Sequence, residues 1–219
     1  MSMKRRVAWV SLSIFVALIW GYVFLACPKL DIGVAMYEKV MPPIPKVKSV
    51  VMIIASKNFR DEEYSVPRKI LERAGYKVVV ASSSTRAAKG MLGLVVKPDI
   101  PLNRVKVNAY DAIIFVGGTG AKEYWDNSTA HQIAKQAAKY RKILGAICIA
   151  PVTLAKAGVL KGVKATVWSS EANQLKAAGA VYTGKAVTRD GNIITANGPG
   201  AAKEFGETIL KALKSVGKK

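Results

Sequence analysis

The sequence predicts a three-layer α/β/α sandwich whose central sheet is mostly parallel. Short apolar runs of strand length alternate with longer segments of helical periodicity, and this alternation is typical of βαβ units. Runs such as AIIFV at residues 112–116 are apolar at every position, which indicates strands covered by helices on both faces. No internal repeat is visible, so the pattern indicates a single folded domain.

The predicted elements begin with an apolar strand at residues 50–55. A mostly helical segment follows at residues 61–74, and Gly75 can end that helix because glycine tolerates the left-handed conformation of a C-terminal cap. The run YKVVVA at residues 76–81 is the next strand. The domain therefore opens with a β-α-β unit.

The middle of the domain continues this order. The strand at residues 112–116 is followed by a helix at residues 129–142, whose apolar positions have helical spacing, and by a strand at residues 143–147. A helix over residues 151–157 comes directly after that strand. These elements predict two further strands of the same sheet.

The predicted elements in the last part of the domain are shorter. We expect a short strand at residues 165–168, a short helix over residues 171–178 and a hairpin around the sequence RDGN at residues 189–192. A closing helix at residues 201–213 completes the domain.

The start of the chain differs from the rest. Residues 7–27 hold no charged residue and follow the basic sequence KRR, and a helix needs about 20 apolar residues to cross a bilayer. Residues 1–27 are therefore predicted to be a membrane anchor, a single transmembrane helix, or a signal segment. Because basic residues favour the cytoplasmic side, we expect the N-terminus in the cytoplasm and the domain outside it. The alternative is a lipoprotein signal in which Cys27 becomes the lipidated residue.

These patterns divide the chain into an anchor, a linker and a folded domain. After the anchor, residues 28–47 lack periodicity and include the sequence PPIP, which is typical of an extended linker. The folded domain then occupies residues 48–219.

The chain is strongly basic, with 34 Lys and Arg against 14 Asp and Glu and a net charge of +20. Such a charge attracts anionic lipids and nucleic acids nonspecifically. The basic residues are scattered, without an Arg-rich run or the spacing of a nucleic-acid motif. A solvated basic surface is the favoured interpretation, with nucleic acid bound only nonspecifically if at all.

Cysteine and histidine are rare. Cys27 and Cys148 are the two cysteines, so the domain has no framework for an internal disulfide and Cys148 is expected to be a free thiol. The single histidine, His131, excludes a multi-histidine metal site. The sequence predicts no metal and no cofactor.

The sequence LGAICIAP at residues 144–151 is the most informative for chemistry. An apolar strand leads into Cys148, and Pro151 lies in the first turn of the next predicted helix. A thiol at such a strand-to-helix turn lies beside the positive end of a helix dipole, which predicts that it ionises more readily than a free cysteine. The alternative is a small apolar residue in a buried strand.

A glycine pair ends the preceding strand. Gly117 and Gly118 are expected at the same carboxyl edge of the sheet as Cys148, where open α/β folds place their sites. The backbone N–H groups of Gly118 and Ile149 could form an oxyanion hole there. The alternative is that the glycines make a turn.

Four segments carry a resemblance to a known family. In order, VVMIIASKNFRDEEYSVPRKILERAGYKVVVAS, YDAIIFVGGTGA, ILGAICIAPVTLAKAGVLKG and DGNIITANGPGAAKEFG resemble the DJ-1/PfpI family, over residues 47–215. The resemblance implies a flavodoxin-like fold of the class I glutamine amidotransferase-like type. It also implies a homodimer or a higher homo-oligomer.

The resemblance also implies roles for individual residues. Cys148 would be the nucleophile at the elbow, Gly118 and Ile149 the oxyanion donors, and Glu63 the acidic partner that hydrogen-bonds the cysteine. Glu62 is the rival for the last role, and the spacing to Pro67 favours Glu63. A protonated carboxyl there can donate to the thiolate and move a proton to or from substrate.

This chain departs from the family pattern in its histidines. Peptidase-like members carry a histidine directly after the cysteine, where this chain has Ile149. Members of the glyoxalase or deglycase branch commonly carry one shortly after the strand that follows the elbow helix, where the nearest match here is Trp168 in KATVWSS. Trp168 could instead be an apolar wall of the pocket. His131 precedes the elbow and is not expected to be catalytic.

The resemblance therefore implies a cysteine-dependent hydrolase, glyoxalase- or deglycase-like, whose substrates are small reactive carbonyls or their adducts. Without a nearby histidine, acid and base catalysis would depend on Glu63 and the thiol. One alternative is a noncatalytic redox-sensing or chaperone-like protein in which Cys148 oxidises to a sulfinic acid. Another is a PfpI-like peptidase that takes a histidine from another subunit.

Overall fold

A computed structural model describes residues 48–216 of the chain. The predicted anchor at residues 1–27 and the predicted linker at residues 28–47 lie outside these described residues. Within the described part, no helix combines the length and the apolar character needed to span a bilayer.

The described residues form strands and helices that alternate along most of the chain. The strands are β1 (Ser49–Ile53), β2 (Lys57–Phe59), β3 (Lys77–Ser82), β4 (Ala88–Gly90), β5 (Val95–Val96), β6 (Ile100–Pro101), β7 (Ala112–Phe115), β8 (Ile143–Ile147), β9 (Lys164–Ala165), β10 (Val181–Tyr182), β11 (Val187–Asp190) and β12 (Ile193–Ala196). The α-helices are α1 (Asp61–Arg73), α2 (Ser128–Lys139), α3 (Pro151–Lys156), α4 (Ala172–Ala177) and α5 (Ala202–Val216).

The central sheet has seven strands in the order β11-β12-β8-β7-β1-β3-β6. Every pairing in it is parallel except that of β11 with β12. Two small sheets, β2-β4-β5 and β9-β10, lie outside it. The prediction of an α/β fold with a mostly parallel sheet is therefore confirmed.

Helices cover both faces of the central sheet. On one face, side chains of β1, β7 and β8 pack against α2 and α3. On the other face, the alternate side chains of these strands pack against α1 and α5. Gly145 in β8 lets α5 approach closely, because a Cβ there would lie 3.0 Å from the Phe205 ring and 3.1 Å from Ile209. Cys148 is half-buried and contacts both cores.

The ends of two helices show why one boundary was predicted well and another was not. Helix α1 ends in a Schellman motif, in which the Tyr76 N–H donates to the Leu71 carbonyl and Gly75 has a φ of +82°. Helix α2 ends in the same way at Lys139, three residues before its predicted end. There Arg141 takes the left-handed conformation with a φ of +53°, and a non-glycine residue gives no sequence signal for it.

Short elements account for the other differences from prediction. The predicted strand at residues 165–168 is wrong beyond Ala165, because Lys164 and Ala165 pair only with β10 and a 3-10 turn begins at Ser169. The predicted helix at residues 171–178 is α4, shortened at both ends. Strands β2, β4, β5 and β6 were not predicted, since each has only two or three residues.

Candidate active site

Cys148 lies at the turn between β8 and α3, in a conformation that few residues adopt. Its φ is +62°, a left-handed value that costs a non-glycine residue about 1–3 kcal/mol. Two backbone hydrogen bonds hold the turn: the Cys148 N–H donates to the Ala196 carbonyl at 2.9 Å, and the Trp168 N–H donates to the Cys148 carbonyl at 2.8 Å. This strained, fixed turn is the geometry of a nucleophile elbow.

The glycine pair after β7 allows the backbone to pack tightly around this turn. A Cβ on Gly117 would lie 2.4 Å from Glu63 Oε2 and 2.5 Å from the Cβ of Cys148. A Cβ on Gly118, whose φ is +94°, would lie 2.4 Å from the backbone nitrogen of Arg60 and from the carbonyl oxygen of Asn58. Glycine is therefore required at both positions, and it brings three segments of the chain together at the site.

Glu63, in the first turn of α1, carries the acid group of the site. Its side chain is completely buried, and the carboxyl lies against Cys148 and the backbone of Gly117. Neither carboxyl oxygen has an aligned hydrogen-bond partner among the described residues. The neighbouring Glu62 instead points away, where it pairs with Arg60. The structure thus brings Glu63, and not Glu62, to the thiol.

The buried position of Glu63 favours its neutral form. Desolvation raises the pKa of the carboxyl to about 8, although the nearby Cys148 thiol, the Arg60 charge and the Gly117 N–H each lower it. At neutral pH the carboxyl is therefore mostly protonated. A buried acid without an aligned partner is costly to stability, so its retention points to chemistry rather than to folding.

The Cys148 thiol is also held in its neutral form, and the expectation that it ionises more readily than a free cysteine is wrong. Burial, followed by the negative charge of Glu63, raises the pKa of Cys148 to about 12. The backbone N–H groups of Gly118 and Ile149 face the sulfur and lower that pKa, but they do not overcome the burial. The helix after the elbow has only six residues, so its dipole is small.

A cavity of about 210 Å³ opens over the thiol. Besides Cys148, Glu63, Gly118 and Ile149, its walls are formed by Arg60, Met91, Thr119, Trp168 and Pro199. The structure therefore brings together all four site residues predicted from the sequence. Trp168 forms a wall, as the sequence suggested, and its ring rests against Gly198, where a Cβ would lie 2.7 Å from it.

No histidine lines this cavity. His131, the one histidine of the chain, is on α2, and its Nε2 lies 2.7 Å from the carbonyl oxygen of Trp125. Among residues 48–216, no cluster of three or more His, Cys, Asp and Glu side chains is arranged to hold a metal ion. Among the described residues that line the cavity, Glu63 is the one carboxylic acid.

No sequence pattern indicated that Met91 is part of the site. It reaches the cavity from the loop between β4 and β5. Asp61 fixes that loop, because its two carboxylate oxygens accept the N–H groups of Leu92 and Leu94, both at 2.8 Å. Gly90 packs directly on the same carboxylate. The loop and α1 are far apart in sequence, and no local pattern signals their contact.

The fold and the site together define an α/β domain with a cysteine at a nucleophile elbow and a buried carboxyl beside it. The chain belongs to the DJ-1/PfpI family, whose model matches residues 48–212. A solved structure, that of a ThiJ/PfpI domain protein from Brachyspira murdochii, superposes with a TM-score of 0.76 at 33% identity. That alignment covers 78% of this chain and 98% of the other.

Curated relatives include proteins named as enzymes. An uncharacterized protein from Methanocaldococcus jannaschii is 44% identical over 77% of this chain and 84% of its own length. A glutathione-independent glyoxalase from Caenorhabditis elegans is 29% identical, over 76% of this chain and 89% of its own length. Deglycase PfpI from Pyrococcus furiosus is also 29% identical, over 75% of this chain and 99% of its own length. The names of these relatives suggest enzymatic activity within the family.

Proposed function

We propose that this protein is a cysteine-dependent hydrolase of the glyoxalase or deglycase type, which acts on small reactive carbonyls or their adducts. The observation that carries the proposal is the contact between the buried Glu63 carboxyl and the Cys148 thiol at the elbow. The names of the glyoxalase and deglycase relatives support the same class of reaction.

The first step would join the thiol to the aldehyde carbon of a 2-oxoaldehyde. In the fraction of molecules with ionised Glu63, the carboxylate accepts the proton of Cys148 as the sulfur attacks, and it then returns that proton to the new oxygen. The product is a hemithioacetal. The N–H groups of Gly118 and Ile149, which face the sulfur, stabilise the negative charge on the oxygen during the attack.

The second step would move a proton within this adduct. Glu63 removes the proton from the carbon that carries the sulfur, and the hydroxyl proton on that carbon passes to the neighbouring carbonyl oxygen, which together give an enediol. Return of a proton from Glu63 to the neighbouring carbon then leaves a thioester of a 2-hydroxy acid. Water then hydrolyses the thioester and releases Cys148. The overall reaction adds one water to the 2-oxoaldehyde and needs no oxidant, no reductant and no histidine.

The test is an assay of the full-length protein on methylglyoxal, with formation of the 2-hydroxy acid as the readout. Cys148→Ser and Glu63→Gln are expected to lose at least about 10²-fold in kcat. His131→Gln is the matched control and is expected to keep normal activity, because His131 lies outside the cavity. Equal rates in the wild type and in the Cys148 and Glu63 variants would disprove the proposal.

The two alternatives have less support. Oxidation of Cys148 to a sulfinic acid begins from the thiolate, and burial raises the pKa of that thiol to about 12. A peptidase must protonate a leaving amine, and the cavity of the described chain contains no histidine for that step. The carbonyl reaction requires only the groups that line the cavity.

The location and assembly of the protein remain proposals as well. The uncharged length of residues 7–27 and the basic residues before it support a membrane anchor with the domain outside the cytoplasm, or a lipid anchor at Cys27. A homodimer would give cover to the apolar side chains that the β4–β5 hairpin exposes, of which Leu92 is 62% and Val95 63% exposed. Light scattering on the purified protein measures the mass of the assembly and so distinguishes a homodimer from a monomer.

A further inference from the structure

Arg60 is the cationic side chain in the wall of the cavity. It directly precedes α1, and its backbone N–H donates to the Gly117 carbonyl at 3.0 Å, which ties it to the glycine pair beside the thiol. The side chain is about 28% exposed and lines the same cavity as Cys148. The backbone of Arg60 is therefore held beside the thiol, and its side chain forms part of the cavity wall.

Glu62 holds the Arg60 guanidinium without using all of its donors. Arg60 Nε donates to Glu62 Oε2 at 2.8 Å, and Nη2 donates to Glu62 Oε1 at 3.1 Å. A guanidinium has five N–H groups, so three of them make no side-chain hydrogen bond within the described residues. The pair is about one-third exposed and is therefore weak. Glu62 orients Arg60 but leaves it able to bind an anion.

The charge balance in the cavity favours an anion. The ionisable residues of its wall are Arg60, Glu63 and Cys148, and the last two are mostly neutral at pH 7 because burial raises the pKa of each. Arg60 therefore carries the formal charge of the wall, and the paired Glu62 carboxylate offsets part of that charge. The chain as a whole carries a net charge of +20, which draws anions toward its surface.

The size and lining of the cavity limit the substrate to a short chain. Its volume of about 210 Å³ is below the range of about 300–1,000 Å³ that is usual for ligand pockets, which favours a short substrate. Met91, Trp168 and Pro199 give the rest of the wall an apolar character.

We propose that Arg60 makes this site select 2-oxoaldehydes whose far end carries a carboxylate or a phosphate. The aldehyde carbon would lie at Cys148, and the guanidinium would bind the anionic end, since arginine binds both groups through paired N–H donors. This inference rests on the proposed reaction and adds the substrate class to it. Glu62 has the role of a positioning residue.

The first test needs no turnover. Iodoacetate and iodoacetamide both alkylate the thiolate of Cys148, but iodoacetate alone carries a negative charge. The ratio of their rates cancels any change in the pKa of the thiol. Mass spectrometry of the Cys148 peptide in the full-length protein separates this reaction from that of Cys27. Arg60→Gln is expected to lower the iodoacetate-to-iodoacetamide ratio by about fivefold, and added salt should lower the wild-type ratio.

The matched control is Arg73→Gln, which removes the same charge from the far end of α1, where Arg73 is exposed. It is expected to leave the ratio at the wild-type value. The second test compares turnover of hydroxypyruvaldehyde with turnover of its 3-phosphate, which differ only in the anionic group. Arg60→Gln should raise KM for the phosphate at least about fivefold more than it changes KM for the neutral aldehyde, and Arg73→Gln should leave both KM values at their wild-type levels.

The outcomes separate the two proposals. Equal alkylation ratios in the wild type, Arg60→Gln and Arg73→Gln would overturn the anion preference, even with full turnover of neutral aldehydes. A ratio that depends on Arg60, together with no turnover of any aldehyde, would overturn the proposed reaction and support anion binding alone. A ratio and a phosphate KM that both change only in Arg60→Gln support the whole inference.

Discussion

At the residue scale, Cys148 and Glu63 form one coupled acid pair. Burial disfavours a charge on either group, and a charge on Glu63 further raises the pKa of the thiol. The first proton lost therefore belongs to the pair rather than to one residue. The neutral pair holds the sulfur as a thiol, which is the less reactive form toward oxidants.

The first prediction concerns the pH dependence of this pair. In Glu63→Gln the negative charge that raises the pKa of Cys148 is gone, so the alkylation of Cys148 by iodoacetamide should reach its midpoint at a lower pH than in the wild type. Turnover of methylglyoxal should fall at least about 10²-fold in the same variant, because the base is lost. A stopped alkylation series between pH 6 and about 11, read by mass spectrometry, compares the pH at which the variant and the wild type reach the same alkylation rate, since the wild-type midpoint lies near the upper end of this range or above it.

Glu62→Gln is the control for that experiment. Glu62 is exposed and pairs with Arg60, so its removal should leave the alkylation midpoint of Cys148 in place. A midpoint that rises in Glu63→Gln would contradict the prediction. It would mean that the protonated carboxyl stabilises the thiolate more than its charged form opposes it.

The sequence identified the site residues better than it predicted their electrostatics. Cys148 and Gly118 follow apolar strands, and parallel strands bring such ends to one edge of the sheet. The sequence did not predict that the pKa of Cys148 is raised, because the cause is burial beneath segments that are far apart in sequence. The place of Arg60 in the wall likewise depends on a contact between distant segments, the hydrogen bond of its backbone N–H to the Gly117 carbonyl.

At the element scale, the elbow between β8 and α3 stores backbone strain at Cys148. Cys148 has a φ of +62°, which glycine adopts freely and a residue with a Cβ does not. The strain keeps the side chain above the carboxyl edge of the sheet. Neighbouring hydrogen bonds to Ala196 and Trp168 keep the turn from relaxing.

The second prediction measures this strain. Cys148→Gly and Cys148→Ala both remove the thiol, but only the glycine variant relieves the left-handed backbone. Cys148→Gly should be more stable to unfolding than Cys148→Ala by about 1 kcal/mol. For comparison, Ala146→Gly in β8 should lose about 1 kcal/mol, since glycine is unfavourable in a regular strand. Equal stability of the two Cys148 variants, measured by urea unfolding, would exclude strain at the elbow.

The third prediction concerns the loop that Gly118 supports. An alanine at Gly118 would bring its Cβ to 2.4 Å from the backbone of Asn58 and Arg60, so the loop before α1 must move. Gly118→Ala should lose about 3 kcal/mol or more of stability and most of the activity. Gly75→Ala is the control for a positive φ alone: its φ is +82°, and no atom lies within 4 Å of the added Cβ. At Gly118 the ψ of 162° adds strain, because a positive φ with this ψ is a conformation that glycine alone adopts readily.

Gly75→Ala should therefore cost only about 1 kcal/mol and keep normal turnover. Thermal unfolding and the methylglyoxal assay on the two variants distinguish two effects. One is the strain of a residue with a Cβ at positive φ, which both variants share, and the other is the collision of the Gly118 Cβ with the backbone of the site. Similar losses of activity in both variants would show that the close approach of the Asn58–Arg60 backbone is not required.

The elements that the sequence predicted and those it missed differ in length. Strand β8 was predicted with its observed bounds because five apolar residues precede the elbow. Strands β4 and β5 span three and two residues, too few to show a period of two. Their hairpin depends on Asp61, which accepts two of its backbone N–H groups, and that tertiary contact has no local signature.

At the scale of the whole molecule, the order of the strands determines where the site forms. Strands β1 and β7 lie side by side, and β8 is next to β7, so the segments that carry Glu63, Gly118 and Cys148 leave the sheet at adjacent positions. Alternation of strands and helices predicted a parallel sheet. It could not predict this order, because the order is set by which apolar faces the connecting helices cover.

The last prediction concerns the side of the membrane on which the domain lies. Cys148 is a poor reporter for impermeant thiol reagents, because it is half-buried and burial raises its pKa. Lys214 is exposed on α5, so Lys214→Cys in a Cys27→Ser background provides a reactive reporter in the full-length protein. An impermeant maleimide should label it on intact cells if the domain is extracytoplasmic. Ser2→Cys in the same background is the control for the cytoplasmic side and should be labelled only after lysis. The reverse pattern would place the domain in the cytoplasm.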